Sequence, residues 1–184
     1  MGVEGTRFKD RRSGLAALWG KWLHSDRRHL VAFGRDISVI SEEEYAKLKP
    51  PSVLSVFPQD LASRDLEYSG LYEDGWVARS AYVWLTRPKG PCELVVQGEV
   101  PQLDGVPGCD NEVEVLLDGA PVARQKLSPG RFEVRCPVDA RTERRKVELH
   151  FLKSHNLPDP DNRPIAARLL KVGFERAPAG IASR

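Results

Sequence analysis

The chain has 184 residues, of which 41% are hydrophobic and 29% charged, a balance that excludes collagen-like, coiled-coil and wholly disordered classes. Its 28 lysines and arginines face 26 aspartates and glutamates, too even a charge to argue for nucleic acid as a partner. No run of about 18 apolar residues is available to span a bilayer, and no apolar signal-peptide core follows Met1, so a cytoplasmic location is expected.

The first 35 residues carry eight basic and three acidic side chains, and the remaining 149 carry 20 and 23. A basic arm therefore precedes a slightly acidic body. Within the arm, Leu15, Leu18, Trp19, Trp22 and Leu23 recur at helical spacing and form one apolar stripe. Ser13 is placed to cap that helix. At about ten residues it is marginal alone in water and has to dock. Its surface is either the rest of the chain or, through residues 7–35, an anionic membrane. A second short helix is expected over Ser41–Lys49. Ser41 and Glu44 have capping-box spacing, Glu42 and Glu43 suit a helix start, and Pro50-Pro51 ends it. Residues 1–51 are thus expected to form a helical N-terminal extension.

From about residue 52 the pattern changes. Turn signals of Pro, Gly and Asp recur about every 8–12 residues, with short alternating stretches between them, the spacing of a sandwich or barrel. Eight strands are expected, near Val53–Phe57, Trp76–Thr86, Glu93–Glu99, Glu112–Leu117, Val122–Lys126, Arg131–Cys136, Val147–Leu152 and Ala167–Phe174. Val113, Val115 and Leu117 alternate with Glu112 and Glu114. Phe132, Val134 and Cys136 alternate with Arg131, Glu133 and Arg135. Val147, Leu149 and Phe151 alternate with Glu148 and His150. Period two with one charged face marks an antiparallel sheet wetted on one side. Asp118-Gly119 and Pro129-Gly130 are turn signals, and the links are too short for the crossovers of a parallel sheet. The expected fold is all-β. It is an antiparallel, jelly-roll-like β-sandwich over residues 52–176, with a frayed tail at 177–184. Cys92, Cys109 and Cys136 lack C-x-x-C spacing, so they are expected to be reduced thiols rather than a disulfide framework or a zinc site. No cofactor is expected.

Several short motifs punctuate this body. Asp74-Gly75-Trp76, within Leu71–Val77, leads into a strand, and Glu99-Val100-Pro101 ends the next one. Asp118-Gly119 forms a turn and Pro129-Gly130-Arg131-Phe132 opens another strand. Asp161-Asn162-Arg163 precedes the closing apolar strand with Arg168-Leu169-Leu170. Together, over roughly residues 68–175, they resemble the small β-sandwich domain appended to bacterial glycosyltransferases, which is similar to carbohydrate-binding modules. The resemblance implies a sandwich fold and a non-catalytic role, binding a glycan or a glycan-processing partner protein. A glycosyltransferase partner is then expected to be a separate chain.

Sugar sites pair an aromatic platform with forked hydrogen-bonding side chains. Tyr82 and Trp84 share one face of their strand, about 6.6 Å apart, with Val77, Ala81, Val83 and Leu85 on the core face. Either they hold a sugar, or that face is covered, for example by the helix with Trp19 and Trp22. Asp74 and Trp76 either line a glycan site at a sandwich end or form a tight turn whose aspartate bonds its own backbone. In the loop from His155 to Arg163, Asp159, Asp161 and Asn162 are possible calcium ligands. The alternative is a proline-stiffened loop in which Asp161 pairs with Arg163 or Arg168. Asp161, Asn162 and Arg163 complete the candidate ligand-binding set. Of four histidines (His24, His29, His150 and His155), His155 lies near Asp159, but no serine or cysteine sits in a nucleophile elbow. No catalytic residue is assigned. A protein-interaction or membrane-peripheral scaffold using the basic Trp-containing arm is the alternative function, and an uncharacterised enzyme is a third.

Overall fold

A computed structural model describes residues 40–102, 110–139, 143–157 and 160–176. The helix expected over Leu15–Leu23, the tail at 177–184, Cys109 and Asp159 lie outside the described residues. Helix α1 (Glu42–Lys47) starts as its sequence requires. The Ser41 hydroxyl accepts the Glu44 N–H at 3.2 Å, and the Glu44 carboxylate accepts the Ser41 N–H at 2.9 Å.

Among the described residues eleven strands follow, namely β1 (Val53–Leu54), β2 (Tyr68–Leu71), β3 (Trp76–Thr86), β4 (Cys92–Val100), β5 (Asn111–Leu117), β6 (Ala120–Leu127), β7 (Gly130–Val138), β8 (Arg144–Phe151), β9 (His155–Asn156), β10 (Pro164–Ile165) and β11 (Ala167–Arg176). Every pairing is antiparallel. The main path runs β6-β5-β8-β3-β11-β4-β7, with β1 on β11 and β2 on β3. It folds over where β3 meets β11 at only two residue pairs, Val77 with Ala167 and Trp76 with Arg168. One layer is therefore β6-β5-β8-β3-β2 and the other β7-β4-β11-β1. Among the long strands only β5 and β6 form a sequential hairpin. The other successive long strands change layer, which gives the jelly-roll-like connections of a nearly closed sandwich.

The period-two stretches supply the core. Val113, Val115, Leu117, Phe132, Val134, Cys136, Val147, Leu149 and Phe151 are all buried, against Val77, Val83 and Leu85 of β3. Burial of each such aliphatic or aromatic side chain stabilises the fold by roughly 1.5–3 kcal/mol. The Asp118-Gly119 turn has φ of 52° and 81°, the left-handed pair of a two-residue hairpin turn that matches strand twist. Asp118 also accepts the Lys146 N–H at 2.8 Å and pairs with the buried Arg145, whose other partner is Asp139 at 2.7 Å.

Three departures from the expected strands have local causes. β1 stops at Leu54 because the N–H groups of Ser55 and Val56 donate to Asp60 at 2.6 and 2.8 Å instead of to a neighbouring strand. β2 contains Gly70, which reads as a breaker, yet here it forms a bulge with φ of 73° against β3. A Cβ at Gly70 would lie 2.3 Å from the Ser80 carbonyl oxygen. β9, at the start of the loop read as proline-stiffened, pairs with β10 just beyond its Arg163 end. The chain divides by its contacts between Val39 and Ile40, so α1 belongs to the same compact unit as the strands.

Candidate functional site

The Asp74-Gly75-Trp76 motif is the turn between β2 and β3. Tyr72 N–H donates to the Trp76 carbonyl at 2.8 Å and Gly75 N–H to the Tyr72 carbonyl at 2.9 Å. Glu73, Asp74 and Gly75 thus form a three-residue loop whose last position, Gly75, has φ of 85°. Glycine serves a second need there. Leu169 N–H of β11 donates to the Gly75 carbonyl at 2.8 Å, and a Cβ on Gly75 would lie 3.0 Å from the Leu169 carbonyl oxygen. Asp74 accepts the Trp76 N–H at 3.4 Å, the local bond expected of an aspartate in a turn. Leu71 and Val77 point into the core. Tyr72 and Trp76, one step away on each strand, therefore share the outer face, and both are half-buried.

Arg163, from the loop before β10, closes onto this turn. It forks to Asp74 at 2.6 and 3.3 Å. It forks again to Asp161, with Nε at 2.7 Å and Nη2 at 2.6 Å. Its guanidinium carbon stands 4.8 Å from the centre of the Tyr72 ring, and the Tyr72 hydroxyl donates to the Pro164 carbonyl at 3.3 Å. The bonds from Asp161 and then Asp74 raise the Arg163 pKa above the ordinary arginine range. The Arg163 side chain holds the Asp161 carboxyl below the usual carboxylate range. Two carboxylates and one guanidinium leave a net charge of −1, and Asn162 is exposed beside them. Residues ninety positions apart in sequence thus meet at one end of the sandwich. Asp74, Trp76, Asp161 and Arg163 are brought together there. Tyr72 was not singled out from sequence, although it faces Trp76 across the Asp-Gly turn and a hairpin reading of Leu71–Val77 would have placed it.

Tyr82 and Trp84 are elsewhere. Six residues along an extended strand put Tyr82 about 20 Å from Trp76. Lys146 Nζ stands 4.6 Å from the Tyr82 ring centre, and the Arg144 guanidinium lies between Trp84 and Tyr45, at 4.9 and 4.3 Å. Arg144 also donates to the Tyr45 carbonyl at 3.2 Å and to Glu67 at 3.3 Å, and the Tyr45 hydroxyl donates to the same Glu67 carboxylate. The outer face with Tyr82 and Trp84 thus carries the protein's own cations, Lys146 on Tyr82 and Arg144, backed by Tyr45 of α1, on Trp84, and both aromatic rings are half-buried.

Among the described residues no group of three or more His, Cys, Asp or Glu side chains gathers as a metal site, and no helix is long and apolar enough to cross a membrane. Asp161, considered for calcium, points its oxygens at Arg163. Ser80, His150 and Glu114 fall in one row across β3, β8 and β5, but no hydrogen bond links them. Cys92 and Cys136 are free and buried, and burial pushes both thiols up.

No protein-family model and no curated protein sequence matches the chain. Among solved structures, a family 35 carbohydrate-binding module from Clostridium thermocellum is similar at 10% identity and a TM-score of 0.39, over 68% of this chain and 99% of that one. A second family 35 module structure from the same organism is similar at 13% identity and a TM-score of 0.31, over 50% and 68%. A family 43 arabinoxylan arabinofuranohydrolase from Bacillus subtilis is similar at 13% identity and a TM-score of 0.36, over 80% and 30%.

Proposed function

We propose that this protein is a non-catalytic glycan-binding module whose site is the turn end of the sandwich, formed by Tyr72, Asp74, Trp76, Asp161, Asn162 and Arg163. The observation that carries the reading is Arg163, forked to both Asp74 and Asp161 and stacked on Tyr72 beside the half-buried Trp76. The arrangement is ordered before any ligand arrives, so little side-chain entropy is lost on binding. Carboxylate oxygens have more acceptor positions than one guanidinium fills. The remaining ones, with the exposed Asn162 amide, meet sugar hydroxyls, and the exposed part of the Trp76 ring takes a pyranose face. Arg163 holds the Asp161 carboxyl below the usual carboxylate range, so it meets a ligand as a hydrogen-bond acceptor. The motif resemblance over residues 68–175 points in the same direction.

The test is a glycan array probed with wild type, Asp74→Ala, Trp76→Ala and Trp84→Ala. The reading requires binding that the first two substitutions remove and the third leaves. A wild-type chain that binds nothing on the array, or binding lost only with Trp84, overturns it.

A further inference from the structure

The register places one more set of side chains in line with Trp76. Trp76 pairs with Arg168 on β11, Arg168 with Glu99 on β4, and Glu99 with Arg131 on β7. Directly opposed residues share a face. Trp76, Arg168, Glu99 and Arg131 thus form one outward row that crosses the fold-over from the first layer to the second. Arg168, Glu99 and Arg131 are exposed. They are also neighbours of opposite charge, close enough across the strands to pair. Among the described residues none of the three makes a side-chain hydrogen bond or an ion pair. Further along the same outer face the charges are tied to each other. Arg135 meets Glu93 at 3.5 Å and Glu175 at 3.6 Å and also bonds Glu133, while Lys171 meets Glu175 at 2.7 Å. The row next to Trp76 keeps its forked donors and acceptors open.

We propose that the glycan site continues along this row as a track, and that its ligand is an internal stretch of a linear polysaccharide rather than a single sugar or a chain end. This inference rests on the glycan reading above. From Trp76 to Arg131 the track crosses three strand spacings, about 15 Å, so with the Tyr72–Arg163 end it accommodates about four consecutive sugar units. One unit stacks on Trp76 beside the Asp74–Arg163–Asp161 cluster. The next ones lie over β11, β4 and β7, with Arg168, Glu99 and Arg131 forked onto hydroxyl pairs. The mixed charge of the row suits hydroxyls, which both donate and accept.

The experiment is isothermal titration of the full chain with xylo-, cello- and mannooligosaccharides of one to six units. Wild type, Trp76→Ala, Arg131→Ala and Arg131→Lys are compared, with a thermal midpoint for each variant to verify folding. Affinity is expected to rise at least tenfold from two units to four and to level off by six. Arg131→Ala should weaken the tetramer about tenfold, the scale of one charge-assisted hydrogen bond, and leave the dimer unchanged. Arg131→Lys, which keeps the charge but not the fork, should fall between. Trp76→Ala should weaken both lengths. Equal affinity for dimer and tetramer, or a tetramer indifferent to Arg131, overturns the track while leaving the glycan reading standing. Failure of all three series to bind overturns both.

Discussion

Replacing Gly75 with alanine tests the turn that holds the site without removing any group proposed to touch a ligand. The residue has φ of 85°, and an L side chain in that region costs about 1–2 kcal/mol. The added methyl would also sit 3.0 Å from the Leu169 carbonyl oxygen, so β11 has to yield by a few tenths of an ångström. Against this, alanine stiffens the unfolded chain, which returns about 0.4–1 kcal/mol. Gly119 separates these effects. It has φ of 81°, but a Cβ there meets nothing within 4 Å. Gly119→Ala should therefore cost about 0.5–1 kcal/mol, the backbone effect alone. Gly75→Ala should cost about 2 kcal/mol, a fall of about 5 °C in thermal midpoint for a chain this long. The assay is urea and thermal denaturation of both variants, followed by glycan titration. Gly75→Ala should also weaken glycan binding severalfold by shifting Asp74 and Trp76, whereas Gly119→Ala, on a turn near the Thr86 end of β3, should bind as wild type does. A Gly75→Ala variant no less stable than Gly119→Ala would refute the close approach of the turn to β11.

Other substitutions probe the remaining structure. Gly98→Ala would place a methyl 2.6 Å from the Phe132 ring and 2.8 Å from the Arg168 carbonyl oxygen. Overpacking of that kind costs about 1–3 kcal/mol, measured by urea denaturation. Trp84→Ala should cost about 2 kcal/mol, less than a fully buried tryptophan, because Arg144 and Tyr45 lose the ring they pack on. It should leave glycan binding intact. Arg163 holds the Asp161 carboxyl low, so its contribution is present above the ordinary carboxylate pKa of about 4 and disappears as pH falls through the lower native value. The gap in thermal midpoint between wild type and Asp161→Asn should accordingly be open near pH 6 and close in acid; a gap that stays constant contradicts the pairing. Cys92 and Cys136, buried with raised pKa values, should react with a thiol reagent only after unfolding.

The layered architecture was legible in the sequence because alternation survives in β5, β7 and β8. Val113 to Leu117, Phe132 to Cys136 and Val147 to Phe151 each face the core on their even steps. β2 escaped because Gly70 looks like a break in Tyr68–Leu71, and only the approach of Ser80 shows why a glycine is needed inside a paired strand. The site was partly legible. Asp74 and Arg163 carry visible local chemistry, but nothing near either residue in sequence says that loops ninety positions apart converge. That convergence comes from β11 lying against the start of β3. For Tyr82 and Trp84, alternation identifies the outer face without showing which side chains pack on it. Tyr45, Arg144 and Lys146 come from α1 and β8, distant segments.

The chain has four tryptophans, and their indole N–H signals separate in a nitrogen–proton correlation spectrum. Titration of the isotope-labelled full chain with xylo-, cello- and mannohexaose reads the ligand's position directly, once Trp76→Phe and Trp84→Phe assign the two relevant signals. The account predicts that the Trp76 signal moves in proportion to occupancy while the Trp84 signal stays in place. Movement of Trp84 with Trp76 unmoved, or no movement of either with any of the three, would contradict it.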